Sequence, residues 1–232
     1  MEIKDKVIIV TGASQGIGME IVKYLTKYGA LLALAARSMD LLNEIAAKLP
    51  RAIAVQTDMR KPADIQNLID LTLKTYGRID ILINNAGQGM QGTVENTKIE
   101  EYQDIIDLNV FGALRAMQAV IPHMRKQGGG MILNVSSGVT KRYIPGVAAY
   151  ASTKYALNAL SFTARMELEK DKIIVSVIHP RVTSSNFYKN LRASQGLTLE
   201  EMAKRGAPID APEKVAENII ELINSEEAEL VM

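Results

Sequence analysis

Tyr150 and Lys154 stand four residues apart in "AAYASTKYAL", where the apolar residues recur with a helical period. At that spacing the phenol and the ammonium share one helical face. A free phenol titrates near pH 10, so it needs tuning before it can exchange a proton near neutrality. An ammonium one helical turn away favours the phenolate and supplies such tuning. Tyr and Lys also take this spacing for packing and solvation alone, so the pair needs companions. Ser137 lies thirteen residues upstream in "NVSSG", at the end of an apolar run that reads as a strand. Asn109 is set among Leu108, Val110 and Phe111 in a long helical stretch, where an asparagine by itself reads as a partner for a buried backbone group.

These residues need a scaffold, and the rest of the chain has the pattern of one. Short Val- and Ile-rich runs ("KVIIVTG", "ALLALAAR", "AIAVQTD", "IDILINNAG", "GMILNVSS", "IIVSVIHP", "AELVM") alternate with amphipathic helical segments. Runs that are apolar on both faces are those of strands buried in a parallel sheet. The alternation predicts a single-domain α/β fold, a doubly wound, Rossmann-type parallel sheet of about seven strands flanked by helices. One long polar interruption, residues 186–208, follows a strand's C-terminal end and reads as a substrate loop.

In such sheets ligands bind beyond the carboxyl ends of the strands, where helix N-termini present free N–H groups. "TGASQGIG" occupies that place after the first strand. Gly12 suits the sharp turn, Gly16 lets a pyrophosphate approach the backbone, and Gly18 lets the helix pack on the sheet. A purely structural glycine turn is the alternative. The second strand ends in Ala36, Arg37 and Ser38, where an NAD-preferring fold usually places an acid for the ribose hydroxyls. Arginine pairs with phosphate instead, which fits NADP(H) over NAD(H), unless Arg37 is a solvated surface charge.

Composition narrows the classes. A formal net charge of +1 without a basic run argues against nucleic-acid binding. No run approaches the ~18 consecutive apolar residues of a membrane span, and the N-terminus lacks a secretory pattern. The chain has no cysteine, and its two histidines, His123 and His179, are far apart, so no metal site is expected. A cytoplasmic protein is expected.

Taken together, the glycine motif from Thr11 to Gly18, "NNAG" at Asn84 to Gly87, Asn109, Ser137 and the Tyr150–Lys154 pair resemble the short-chain dehydrogenase/reductase family in order and spacing. The resemblance implies an NADPH-dependent reduction of a carbonyl, or the reverse oxidation of an alcohol. Tyr150 would be the general acid, Ser137 would hold the carbonyl oxygen, Lys154 would hold the nicotinamide ribose, and Asn109 would support a proton-supplying water chain. It further implies cofactor contacts from Ser14, Gln15 and Ile17 in the glycine loop. Asp58 would meet adenine, with Met59 beside it, and Asn85, Ala86 and Gly87 would run along the adenosine ribose. Pro180, Thr183 and Ser185 match the family's nicotinamide-side motif, with Ser185 in place of a threonine and Arg181 in place of its glycine. Arg181 is expected to be solvated or paired with a carboxylate, to touch the pyrophosphate, or to favour anionic substrates. Reduction of 3-oxoacyl thioesters and a catalytically silent dinucleotide sensor are the alternative functions. The family also pairs its Asn- and Tyr-bearing helices across a two-fold axis, implying a homodimer or homotetramer.

Overall fold

Four apolar residues and a threonine, all buried, make Val7–Thr11 the central strand β1 of the computed structural model, which describes residues 1–188, 191–192 and 198–232. Around it run β2 (Leu31–Ala36), β3 (Ala52–Gln56), β4 (Ile81–Asn84), β5 (Gly130–Val135) and β6 (Ile173–His179). The short strands β7 (Val182–Thr183) and β8 (Ile209–Asp210) and the C-terminal β9 (Glu229–Val231) follow. Seven of the nine form one parallel sheet in the order β3-β2-β1-β4-β5-β6-β9, while β7 and β8 pair separately. This is the doubly wound, Rossmann-type fold with the expected seven-stranded sheet.

The two-residue period of the strands divides the core. Ile8, Val10, Leu32 and Leu34 point to one face, which α1 (Gly16–Lys27), α2 (Met39–Ala46) and α8 (Pro212–Ser225) cover. Ile9, Ala33, Ala35 and Leu82 point to the other, under α3 (Pro62–Tyr76), α5 (Ala113–Lys126) and α6 (Ala148–Leu168). The winding reverses between β1 and β4, which are direct neighbours, and a crevice opens at the C-terminal ends of the strands there.

The stretch expected as one helix is three pieces: α4 (Ile99–Ile106), a π-helical turn at Asp107–Gly112, and α5. By length and composition alone, Ile99–Lys126 could cross a membrane. In the fold Ala116, Met117, Val120 and Met124 bury it against the sheet as a core helix. Within residues 186–208, Thr198 opens the short helix α7 (Leu199–Lys204) with a capping box to Glu201. Residues 189, 190 and 193–197 of that expected loop lie outside the described residues.

Candidate active site

The turn after β1 shows why its glycines are needed. Gly12 has φ +66° and Gly16 φ +56°, left-handed conformations that side chains disfavour. A Cβ on Gly18 would lie 2.1 Å from the Gly12 carbonyl oxygen, so only glycine lets α1 start this close to the strand. Thr11 and Asn85 then fasten the turn to the end of β4. The Thr11 hydroxyl accepts the N–H groups of Asn85 and Ala86 at 3.0 Å each, and the Asn85 amide donates to Thr11 O at 2.9 Å. The Asn85 side chain is therefore spent on holding the turn, which leaves its backbone and that of Ala86 and Gly87 along the crevice.

The crevice is a cleft of about 890 Å³. Gly12, Ser14, Gln15, Gly16, Ile17 and Gly18 line its first part, with Arg37, Ser38, Asp58 and Met59 beside them. Asn85, Ala86 and Gly87 form the middle. Ser137, Tyr150, Lys154, Pro180, Thr183 and Ser185 line the far part. Of the residues given a catalytic or cofactor-binding role from the sequence, all line this one cleft except Asn109.

Asn109 is buried behind it, in the π-helical turn. Its Oδ1 accepts the Gln88 N–H at 2.9 Å, and its Nδ2 donates to Gln88 O at 2.9 Å and to Thr153 Oγ1 at 3.0 Å. The side chain satisfies a buried backbone segment and ties it to α6, the reading its residue type suggested. π-Helical turns inside α-helices recur at functional sites, and here the turn aims the asparagine inward.

At the far part of the cleft the side chains are held tightly. Lys154 is buried and donates to Val135 O at 2.9 Å, and burial pulls its pKa down to about 8. A Cβ on Gly87 would stand 3.5 Å from Lys154 Nζ and 3.2 Å from Asn109 Oδ1, so glycine keeps this corner open. The Lys154 ammonium lies 6.0 Å from the Tyr150 ring centre. Burial pushes the Tyr150 phenol well above its ordinary value, with a hydrogen bond to Ser137 pulling the other way. The phenol thus keeps its proton at neutral pH, the state a general acid requires, and the lowering expected from the Lys154 ammonium does not outweigh burial. Phe187 packs over it at a ring separation of 5.7 Å and Tyr188 meets Phe187 edge-on at 5.6 Å. Burial raises Tyr188 to about 12.

At the near part the polar groups are more open. The Arg37 guanidinium is exposed and, among the described residues, has no ion pair or hydrogen bond, although its carbonyl accepts Gln56 Nε2 at 3.0 Å. Asp58 is gripped by Arg60 through two side-chain bonds of 3.0 and 2.7 Å. That bonding carries its carboxyl down to about 2, with a smaller contribution from Arg37. The Met59 side chain lies in the core under the sheet. Arg60 was not singled out from the sequence, though an arginine two residues after the expected adenine-side aspartate was the available signal.

The segment after β6 closes the cleft. Ser185 stands over the glycine turn, 3.3 Å from where a Gly16 Cβ would be, and its Oγ accepts the Phe187 N–H at 3.4 Å. The Thr183 hydroxyl donates to Arg181 O at 3.0 Å. Arg181 pairs with Asp210 through two 3.0 Å bonds that fasten β7 to β8. This is the carboxylate pairing foreseen as one of its three readings.

The residues suit a dinucleotide: a glycine cradle at a helix start, a free cation at the second strand, and a phenol, hydroxyl and ammonium at the far end. The short chain dehydrogenase family model matches residues 6–196. The chain belongs to the short-chain dehydrogenase/reductase family. Among curated relatives, an oxidoreductase of Staphylococcus saprophyticus is 40% identical over 79% of this chain and 76% of its own. The crystal structure of 3-ketoacyl-(acyl-carrier-protein) reductase from Brucella melitensis, complexed with NADH, superposes with a TM-score of 0.90. That match has 26% identity and covers 99% of this chain and 97% of the reductase. An alcohol dehydrogenase from Thermococcus sibiricus, complexed with 5-hydroxy-NADP, gives 0.86 at 28% identity, covering 99% and 96%. This short-chain dehydrogenase/reductase is accordingly an NAD(P)-dependent oxidoreductase.

Proposed function

We propose that this enzyme reduces ketones or aldehydes with NADPH, Tyr150 acting as the general acid. The observation that carries the reading is a half-buried Tyr150 bonded to Ser137, with Lys154 beside it on one cleft. When bound, the dinucleotide supplies the hydride. Ser137 hydrogen-bonds the carbonyl oxygen as negative charge gathers there, and Tyr150 gives that oxygen its proton. Lys154 holds the nicotinamide ribose and stabilises the phenolate left behind. Asn109 keeps the Gln88 backbone in place and supports the water chain that returns the proton.

NADP(H) preference is supported by the unpaired Arg37 guanidinium at the end of β2, where Ala36 offers no acid to a ribose hydroxyl. Ser14 and Ser38 line the cleft within the same region. A 3-oxoacyl thioester is the second substrate class, favoured by the likeness to the Brucella reductase. The test is consumption of NADPH and of NADH over a panel of ketones, aldehydes, quinones and 3-oxoacyl thioesters. Turnover with NADPH preferred sustains the reading, and a binding-competent protein that reduces none of them ends it.

The enzyme works in the cytoplasm as a homodimer or homotetramer. Support for assembly comes from a shallow groove between α5 and α6, lined by Leu114, Ile121, Leu160 and Ala164, with Met166 79% exposed on α6. Light scattering at micromolar concentration is expected to give twice or four times the chain mass, and a monomer mass refutes it.

A further inference from the structure

Beneath the turn that carries Ser137 sits an imidazole that the chemistry above does not use. His179 closes β6 with its side chain fully buried. Its Nδ1 lies 3.0 Å from Thr140 Oγ1 and 3.4 Å from the Ser137 carbonyl oxygen. Its Nε2 is 2.8 Å from Glu229 Oε1 on β9, a close contact that is not aligned as a hydrogen bond. Lys141, at the far end of the same turn, bonds that same carboxylate oxygen. Thr140 completes the set, donating its hydroxyl and its N–H to Ser137 O at 2.9 and 3.1 Å.

A fully buried ring with two polar nitrogens costs desolvation that an apolar side chain at the end of a core strand avoids. Its neighbours Val177 and Ile178 show that the strand otherwise takes apolar residues here. What the imidazole gains is contact with the one turn that must place a hydroxyl accurately. The Ser137 Oγ accepts the Val139 N–H at 3.3 Å and meets the Tyr150 phenol. Where the hydroxyl stands relative to that phenol then depends on the backbone clamp at the Ser137 carbonyl. Burial, with the Lys141 ammonium adding to it, keeps the imidazole below its ordinary pKa and neutral at pH 7.

We propose that His179 is a positioning residue for Ser137: with its one ring proton on Nδ1, it holds the Ser137–Lys141 turn by donating to Thr140 Oγ1 and the Ser137 carbonyl, and so sets where the Ser137 hydroxyl meets the substrate oxygen. The role rests on the function given to Ser137 above. A positioning error well below the length of a bond is enough to lower a rate, because hydrogen bonds to developing charge act only in a narrow geometry.

The test is a cycle with His179→Phe, which keeps a planar ring and removes both ring nitrogens, and Ser137→Ala. It is followed with NADPH and the carbonyl compound of the panel that turns over fastest. His179→Phe is expected to lower kcat about 10-fold in the parent while the Kd for NADPH stays within about 2-fold. In the Ser137→Ala background, where no hydroxyl remains to be placed, it is expected to change kcat less than about 2-fold. Thr140→Val breaks the bridge from its other end and is expected to reproduce the same pattern, so it decides the matter if the phenylalanine variant does not fold. Equal losses in both backgrounds mean a general structural role and overturn the proposal, as does no loss in the parent. If Ser137→Ala lowers kcat and neither His179→Phe nor Thr140→Val does, the relay fails and the function of Ser137 stands. If Ser137→Ala itself leaves kcat unchanged, the function of Ser137 falls and takes the relay with it.

Discussion

At the β1–β3 end of the cleft, the lining includes backbone atoms of a glycine turn and an exposed Arg37 that has no ion pair among the described residues. At the β5–β6 end they are side chains under cover: Lys154 bonded to a carbonyl, Tyr150 roofed by Phe187, Ser137 on a clamped turn. The first end presents charge and shape that a long flexible dinucleotide can adapt to. The second holds three groups in fixed relation, as a proton transfer within hydrogen-bond reach demands. Substitutions at the first end should shift which cofactor is used with little effect on folding. Those at the second should change rate and stability together.

The sharpest break between the ends comes from Tyr150→Phe. Deleting the hydroxyl is expected to lower kcat by roughly 10²–10⁴-fold while NADPH affinity stays near that of the parent. Activity above half that of the parent would remove Tyr150 from the mechanism.

At the opposite end, Arg37→Asp removes the partner of a 2′-phosphate and supplies a carboxylate for free ribose hydroxyls. The ratio of kcat/KM for NADPH over NADH is expected to fall by about 10- to 100-fold, the worth of hydrogen bonds to a charged group. The melting temperature should hardly move. A parent enzyme that already prefers NADH makes Arg37 a solvated charge and dissolves the contrast.

Burial at the second end also has a pH signature. The folded-state pKa of Lys154, about 8, lies below the ~10.4 of an unfolded lysine, so as pH rises the folded protein sheds this proton first. The unfolded state then binds more protons between those values, and stability rises with pH through that window. Relative to Lys154→Met, the parent is expected to gain about 2 kcal/mol between pH 7.5 and 9.5 in chemical denaturation. A flat difference places the ammonium in water instead.

The smallest effect belongs to Arg181. Because Asp210 engages its guanidinium through Nε and Nη2, Arg181→Ala is expected to treat acidic and neutral carbonyl substrates alike. The guanidinium is exposed although Asp210 is half-buried, so the melting temperature should fall only slightly. A KM for acidic substrates that rises selectively would show that the arginine leaves Asp210 to meet them.

How much of this was legible beforehand follows from the range of each interaction. Strand and helix periods and the glycine turn are local properties, and they predicted the seven-stranded sheet and the cleft at its carboxyl edge. The spacing of Tyr150 and Lys154 is local too, within one helical turn, and both line the cleft as expected. Asn109 was placed in a helix but not in a π-helical turn, because the change from α to π hydrogen bonding depends on how the helix seats against Gln88 and Thr153.

By itself the sequence determined the order of strands and helices, the backbone turn that only Gly12, Gly16 and Gly18 permit, and the residue types that could exchange a proton. Each depends on sterics or periodicity within a few neighbouring residues, which any conformation of the chain must respect. Tertiary structure alone decided that Asp210 would neutralise Arg181, that Arg60 would grip Asp58 at the cleft edge, and that Glu229 would lie against His179 under Ser137. Arg181 and Asp210, like His179 and Glu229, are brought together by strand pairings between distant segments, β7 with β8 and β6 with β9. Their charges and desolvation take effect only once the sheet has closed around them, since burial and the proximity of partners do not exist in the unfolded chain.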